Sequence, residues 1–181
     1  INTTDVVDLK YNNRSVFPTL KLTQATNNDL PAMKRYLNYF IDEYTKYPLE
    51  FMSAVNPPTF AFAKHIVDPA NGGEAGGYTH YIVAYGLQDV LVREDAEGID
   101  YFRRIIHHEI AHSFDTISLD DESDWPGILN KDRYKTKVDL GALANHVFHP
   151  TPGFVTGYAQ YNEDEDLAET VRIAVHLHRH V

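Results

Sequence analysis

Residues 101–117 read YFRRIIHHEIAHSFDTI, and this run constrains the chain more than any other. His108 and His112 are four apart, a spacing that brings two side chains together on one face only in an α-helix. Glu109 then points about a third of a turn to one side. Ile105, Ile106, Ile110 and Phe114 surround the polar residues with packing side chains, and Asp100 stands where an N-cap belongs. The pattern predicts an amphipathic helix over residues 101–117. His107 is the odd member, with no histidine or carboxylate at 110 or 111 to share its face.

Elements of both kinds flank this helix. Asp29 reads as an N-cap with Pro31 in the first turn. Leu30, Met33, Leu37, Phe40, Ile41 and Tyr44 follow at helical spacing, so an amphipathic helix ends before Pro48. TFAFAKHIV (59–67) and THYIVAYG (79–86) are rich in aromatic and β-branched residues and read as strands, with LQDVLV close behind. The DPANGGEAGG between the first two lacks the GK[ST] of a phosphate cradle and reads as a flexible connection. The last helix starts near Asn162 and runs through EDEDLAETVRIAVHLHRH, its acidic first turn complementing the positive end of the helix dipole.

This order predicts an α+β fold, a small mixed sheet with a backing helix. A chain of 181 residues is expected to form one domain. Its parts would be an N-terminal arm or edge strands over 1–28, the sheet and central helix over 29–117, and a C-terminal subdomain over 118–181.

Composition narrows the partners. The apolar share of 43% and charged share of 23% belong to a globular chain. No apolar run approaches the roughly 20 residues of a membrane-spanning helix. A formal charge of −10 repels nucleic acid and favours cationic peptides or metal ions. With no cysteine, thiol nucleophiles and Cys-rich zinc modules are excluded. Asn2-Thr3-Thr4 and Asn13-Arg14-Ser15 are N-glycosylation sequons. The first residue is Ile1, as expected of a chain from which a signal peptide has been removed.

Two imidazoles at i and i+4 with a glutamate between them are the H-E-x-x-H arrangement of zinc hydrolases. The histidines supply two ligands, and the glutamate can reach a water at the metal. A catalytic zinc usually takes a third protein ligand. The metzincin continuation needs a glycine and a histidine where Asp115 and Ser118 stand, so that class is excluded. Glu163, Glu165 and Glu169, on the last helix, compete for the third position.

YAQYNEDEDLAE (158–169) resembles the C-terminal motif of the anthrax lethal-factor catalytic domain and its relatives, and HEIAHSFD (108–115) resembles their helix. GFVTGYAQYNEDEDLAE is similar, too, to the C-terminal motif of bacterial putative zinc-binding metallopeptidases. The resemblance covers 105–118 and 153–175. It implies a zincin-like fold and a gluzincin-type site, in which His108, His112 and Glu165 bind zinc (Zn2+) and Glu169 orients a ligand histidine. Glu109 would be the general base, and Tyr158 would donate a hydrogen bond to the oxyanion. The THYIVAYG strand would run above the site and pair with an extended peptide. The activity implied is that of a zinc-dependent endopeptidase acting on protein or peptide substrates, secreted or at the cell surface.

Two other readings stay open: a non-catalytic domain that zinc holds together, and a zinc hydrolase of non-peptide amides or esters. Glu109 argues against the first, because a structural site gains little from it. Elsewhere, His146 and His149 read as structural or solvent-facing residues. His176, His178 and His180 complement the negative end of the last helix. Asp120, Asp121, Glu122 and Asp124 lack the glycine and terminal glutamate of an EF-hand and read as a solvated loop.

Overall fold

The computed structural model describes residues 6–7, 10–11, 14–15, 19–54, 59–69, 72–80, 82–87, 96–118, 134 and 153–177. Short strands β1 (Val6–Val7), β2 (Lys10–Tyr11), β3 (Arg14–Ser15) and β4 (Lys21–Thr23) lead into α1 (Leu30–Tyr44) and α2 (Leu49–Ala54). Strands β5 (Thr59–Ala63), β6 (His65–Val67), β7 (Gly77–Thr79) and β8 (Ile82–Gly86) precede α3 (Ala96–Ser118). A 3-10 turn at Tyr158–Gln160 then introduces α4 (Glu163–Leu177). The result is a mixed α+β arrangement of small sheets and helices, compatible with a metallopeptidase fold. The first residues supply short strands, all paired antiparallel: β1 with β4, β4 with β6, and β2 with β3, which leaves β4 in the middle of its sheet rather than at an edge.

Strand β8 is the organising element. It runs parallel to β5, with Thr59 opposite Ile82 and Ala63 opposite Gly86, and antiparallel to β7, with Gly77 opposite Tyr85 and Thr79 opposite Val83. Among the described residues, the order β5-β8-β7 leaves β7 at the edge. Alternate residues of a strand face opposite sides, and here both sides are buried. Val83, Tyr85 and the following Leu87 pack with Ala32, Tyr36 and Phe40 of α1 and Phe102, Ile106 and Ile110 of α3. Ile82 and Ala84 pack on the other side with Leu22, Ala63 and Ile66. Tyr36 anchors the first cluster, its ring 5.8 Å from Phe62, 5.9 Å from Tyr85 and 5.7 Å from Phe102. The buried Tyr85 hydroxyl donates to the Ile106 carbonyl at 3.2 Å and so ties β8 to α3 just before the histidines.

Several sequence expectations need correction. The run 59–67 is two strands, because the chain leaves one sheet for the other at Lys64, whose N–H bonds the Thr23 carbonyl and whose ammonium pairs with buried Asp29. The 79–86 stretch is not one strand: β7 ends at Thr79 and folds back antiparallel onto β8, with the His80 N–H on the Ile82 carbonyl. Helix α3 begins at Ala96, so Asp100 lies inside it and pairs with Arg104 one turn on. Asp29 occupies the N-cap of α1, but its carboxylate turns back to Thr26 and closes the preceding 3-10 turn. The buried stripe of α1 is Ala32, Tyr36, Phe40 and Glu43, while Leu30 and Ile41 are exposed. The aromatic partners on β5 and β8 draw Tyr36 inward and rotate the helix away from the expected face. The glycine-rich connection is tied down over its described part, with the Asp68 N–H on the Gly73 carbonyl and the Gly72 N–H, at positive φ, on the Asp68 carbonyl. Among the described residues, no helix is long and apolar enough to cross a membrane.

Candidate metal centre

Helix α4 lies along α3 and brings carboxylates to its histidines. Its start is fixed by Asn162, whose side-chain oxygen accepts the Glu165 N–H at 2.8 Å. From there Glu165 and Glu169, one turn apart, face His108 and His112. His108 Nε2 lies 3.1 Å from His112 Nε2 and 3.1 Å from Glu165 Oε2, and His112 Nε2 lies 3.5 Å from the same oxygen. His108, His112 and Glu165 thus form a group whose ligand atoms converge, as a metal ion requires.

The spacing fits zinc. Tetrahedral ligands at about 2.0–2.1 Å from an ion stand about 3.3 Å from one another, and the three observed separations bracket that value. Glu165 Oε2 is also buried without a well-formed hydrogen bond, as suits an atom facing a cation. Burial opposes charge on Glu165, yet the adjoining His108 and His112 hold its carboxyl down to about 2. Burial likewise opposes charge on His108, but the nearby carboxylates of Glu165 and Glu169 push the imidazole up to about 10. A positive charge at the centre, from a proton or from a metal, offsets the carboxylates gathered there.

A second layer of contacts holds the first. His108 Nδ1 meets Glu169 Oε1 at 2.9 Å. A carboxylate on Nδ1 selects the tautomer whose Nε2 carries the lone pair that a metal needs. Glu169 Oε2 in turn accepts from Thr156 Oγ1 at 2.6 Å and Arg172 Nη2 at 2.6 Å. Burial raises the Glu169 carboxyl, but His108 and Arg172 outweigh it and keep it below its usual range.

Glu109 leaves the helix towards the sheet edge. Its Oε2 accepts from Thr79 Oγ1 at 2.7 Å, and the side chain is buried. Burial raises its carboxyl pKa against the pull of His108, His112 and Thr79, which suits a group that exchanges a proton. Tyr158 lies beside the metal group, its hydroxyl 3.4 Å from Glu165 Oε1 and its ring 5.8 Å from that of His108. Burial and the nearby carboxylates raise its pKa far above the usual phenol value, so the hydroxyl keeps its proton. His107 turns the other way, to α1. Its Nε2 meets the fully buried Glu43 at 2.8 Å and its Nδ1 meets Tyr47 Oη at 2.8 Å. Lys46 and Arg103 also pair with Glu43.

All six residues singled out from the sequence, His108, Glu109, His112, Tyr158, Glu165 and Glu169, meet in one place. Of the three competing glutamates, Glu165 reaches the Nε2 atoms and Glu169 the Nδ1 of His108. Thr79, Thr156, Arg172 and Glu43 escaped sequence reasoning. Only Arg172 carried a signal, its i, i+3 spacing from Glu169. Asn2, Asn13, the acidic segment 120–124, His146, His149, His178, His180 and the side chain of His176 lie outside the described residues.

A family model described as "Putative zinc-binding metallo-peptidase" matches residues 22–180. No curated protein and no solved structure matches the chain. The match runs from β4 past the end of α4 and so takes in every residue of the metal group. The chain belongs to the putative zinc-binding metallo-peptidase family.

Proposed function

We propose that the chain is a zinc-dependent endopeptidase of the gluzincin type, a single zincin-like domain that hydrolyses protein or peptide substrates outside the cell or at its surface. One observation carries the reading. The Nε2 atoms of His108 and His112 and the carboxylate of Glu165 converge at zinc spacing, with a buried glutamate on the intervening residue of the same helix. His108, His112 and Glu165 hold the metal. Zinc, when bound, supplies Lewis acidity that lowers the pKa of a water towards about 7 and polarises a carbonyl. Glu109 takes the proton of the attacking water and passes it to the leaving amine. Tyr158, protonated at all working pH, donates to the oxygen that gains charge as the carbonyl becomes tetrahedral. Glu169 keeps His108 in its ligand tautomer. The edge strand β7 offers its outer side to an extended peptide, which would add as a further strand. The acidic surface favours cationic peptides.

The test compares hydrolysis of a diverse peptide pool by zinc-loaded wild type and zinc-loaded Glu109→Ala. Cleavage by wild type alone, with equal zinc in both, is the expected result. Zinc bound in both and cleavage by neither would overturn the peptidase reading and favour a zinc-stabilised binding domain.

A further inference from the structure

Strand β7 is three residues long, and its two ends address one side chain. Gly77 and Thr79 are two apart and so share a face, the face turned to α3. Thr79 Oγ1 lies 2.7 Å from Glu109 Oε2 and 3.0 Å from the Glu109 carbonyl. Its single proton goes to the charged, closer acceptor. Gly77 serves by lacking a side chain. A Cβ there would stand 2.5 Å from Glu109 Cγ, 2.7 Å from Oε1 and 2.8 Å from Cδ, closer than real Cβ atoms approach. Tyr78, between them, points away and is exposed.

We propose that Thr79 and Gly77 are positioning residues for the general base: Thr79 fixes the Glu109 carboxylate by its hydroxyl, and Gly77 provides the space that this pose requires. The inference rests on the role of Glu109 proposed above. Glutamate has three rotatable side-chain bonds, and a general base must be held within hydrogen-bond reach of the proton that it removes. The histidines on either side are held from α4, whereas Glu109 faces β7, and there its carboxylate is met by Thr79. The proposal also puts the supports of the base and the peptide-binding edge on one strand, so that a substrate seated on β7 is registered against Glu109.

The experiment uses Thr79→Val, Thr79→Ser and Gly77→Ala in the full chain. Zinc content, the visible spectrum of the cobalt-substituted protein, melting temperature, crystal structures and peptide kinetics are measured. Thr79→Val is expected to bind zinc stoichiometrically with an unchanged cobalt spectrum, to lose at least tenfold in kcat with KM within twofold, and to show Glu109 in a different rotamer. Thr79→Ser restores kcat to within about threefold, as the hydroxyl alone requires. Gly77→Ala displaces Glu109 and loses kcat in the same way. Should Thr79→Val match wild type in kcat with Glu109 unmoved, the proposal fails while the peptidase reading stands. Should wild type itself be inert, the peptidase reading fails, and the crystal structures decide the positioning claim alone: Glu109 unmoved in folded Thr79→Val overturns it.

Discussion

Replacing Glu169 with glutamine changes one atom and should still weaken zinc binding sharply. The carboxylate uses both oxygens as acceptors: Oε1 faces the His108 Nδ1–H, and Oε2 takes Thr156 Oγ1–H and an Arg172 N–H. Glutamine has one acceptor and one NH2 donor. If its oxygen faces His108, the NH2 points at the Arg172 guanidinium, in a pocket where Arg172 is itself buried. If its oxygen faces Arg172, the NH2 confronts the His108 N–H, and the imidazole must rotate or change tautomer. Either way the lone pair on Nε2 loses its fixed direction. Loss of such a partner typically costs 10–100-fold in metal affinity, about 1.4–2.8 kcal/mol at roughly 1.4 kcal/mol per factor of ten. Competition against a chromophoric chelator measures it, with circular dichroism confirming the fold. Folded Glu169→Gln that holds zinc within twofold of wild type would refute the argument that this carboxylate orients the ligand.

Three further outcomes are expected. Glu43→Ala should cost about 1–3 kcal/mol in urea unfolding, the usual penalty for leaving a buried polar group without its partner. Lys46 and Arg103 are partly exposed and can turn to water, but His107 is only 1% exposed and cannot; a loss below about 1 kcal/mol would show that the cluster is dispensable. After chelation, stability should be greatest between the ordinary carboxyl value of 4.5 and the ordinary imidazole value of 6.5. The Glu165 contribution is present above 4.5 and is lost as pH falls towards about 2, while the His108 contribution is present below 6.5 and is lost as pH rises towards about 10. Zinc competes with protons for the same imidazoles, so its added stability grows with pH. The melting-temperature gap between zinc-loaded and chelated protein should therefore widen from pH 6 to 8, and a constant gap would contradict the ligand assignment.

The local periodicities were readable in the residue string. Two helices followed from recurrence every three to four residues, the last one from its acidic first turn, and the strands from aromatic and β-branched runs, because these patterns depend on neighbours in the chain. Boundaries followed less well. Asp100 looks like a cap, yet an i, i+4 partner at Arg104 lets the helix continue through it. Lys64 interrupts a run with no glycine or proline to mark the break, since the cause is a sheet change dictated by Thr23 and Asp29. In the site, the residues of the motifs were legible and their supports were not. Thr79 lies 30 positions from Glu109, and Glu43 lies 64 from His107. No spacing rule connects such pairs, and only the packing of β7 and α1 against α3 creates them.

The four consecutive residues Ile106, His107, His108 and Glu109 show why one helix carries both stability and chemistry. Each residue of an α-helix turns about 100° from the last, and each of these four meets a different element. Ile106 enters the core beneath β8, His107 meets Glu43 on α1, His108 meets Glu165 and Glu169 on α4, and Glu109 meets Thr79 on β7. Three polar residues in succession break the binary pattern of an ordinary packed helix, and they are tolerable because each finds a partner. A rotation of α3 by one position would leave every one of them facing the wrong group. The Tyr85 bond to the Ile106 carbonyl and the Glu43–His107 pair resist that rotation from two sides. The direction in which His108 and Glu109 point is therefore set by residues that touch neither the metal nor a substrate. The helix holds its geometry because its rear face is buried, with Phe102, Ile106 and Ile110 in the core and His107 paired to Glu43.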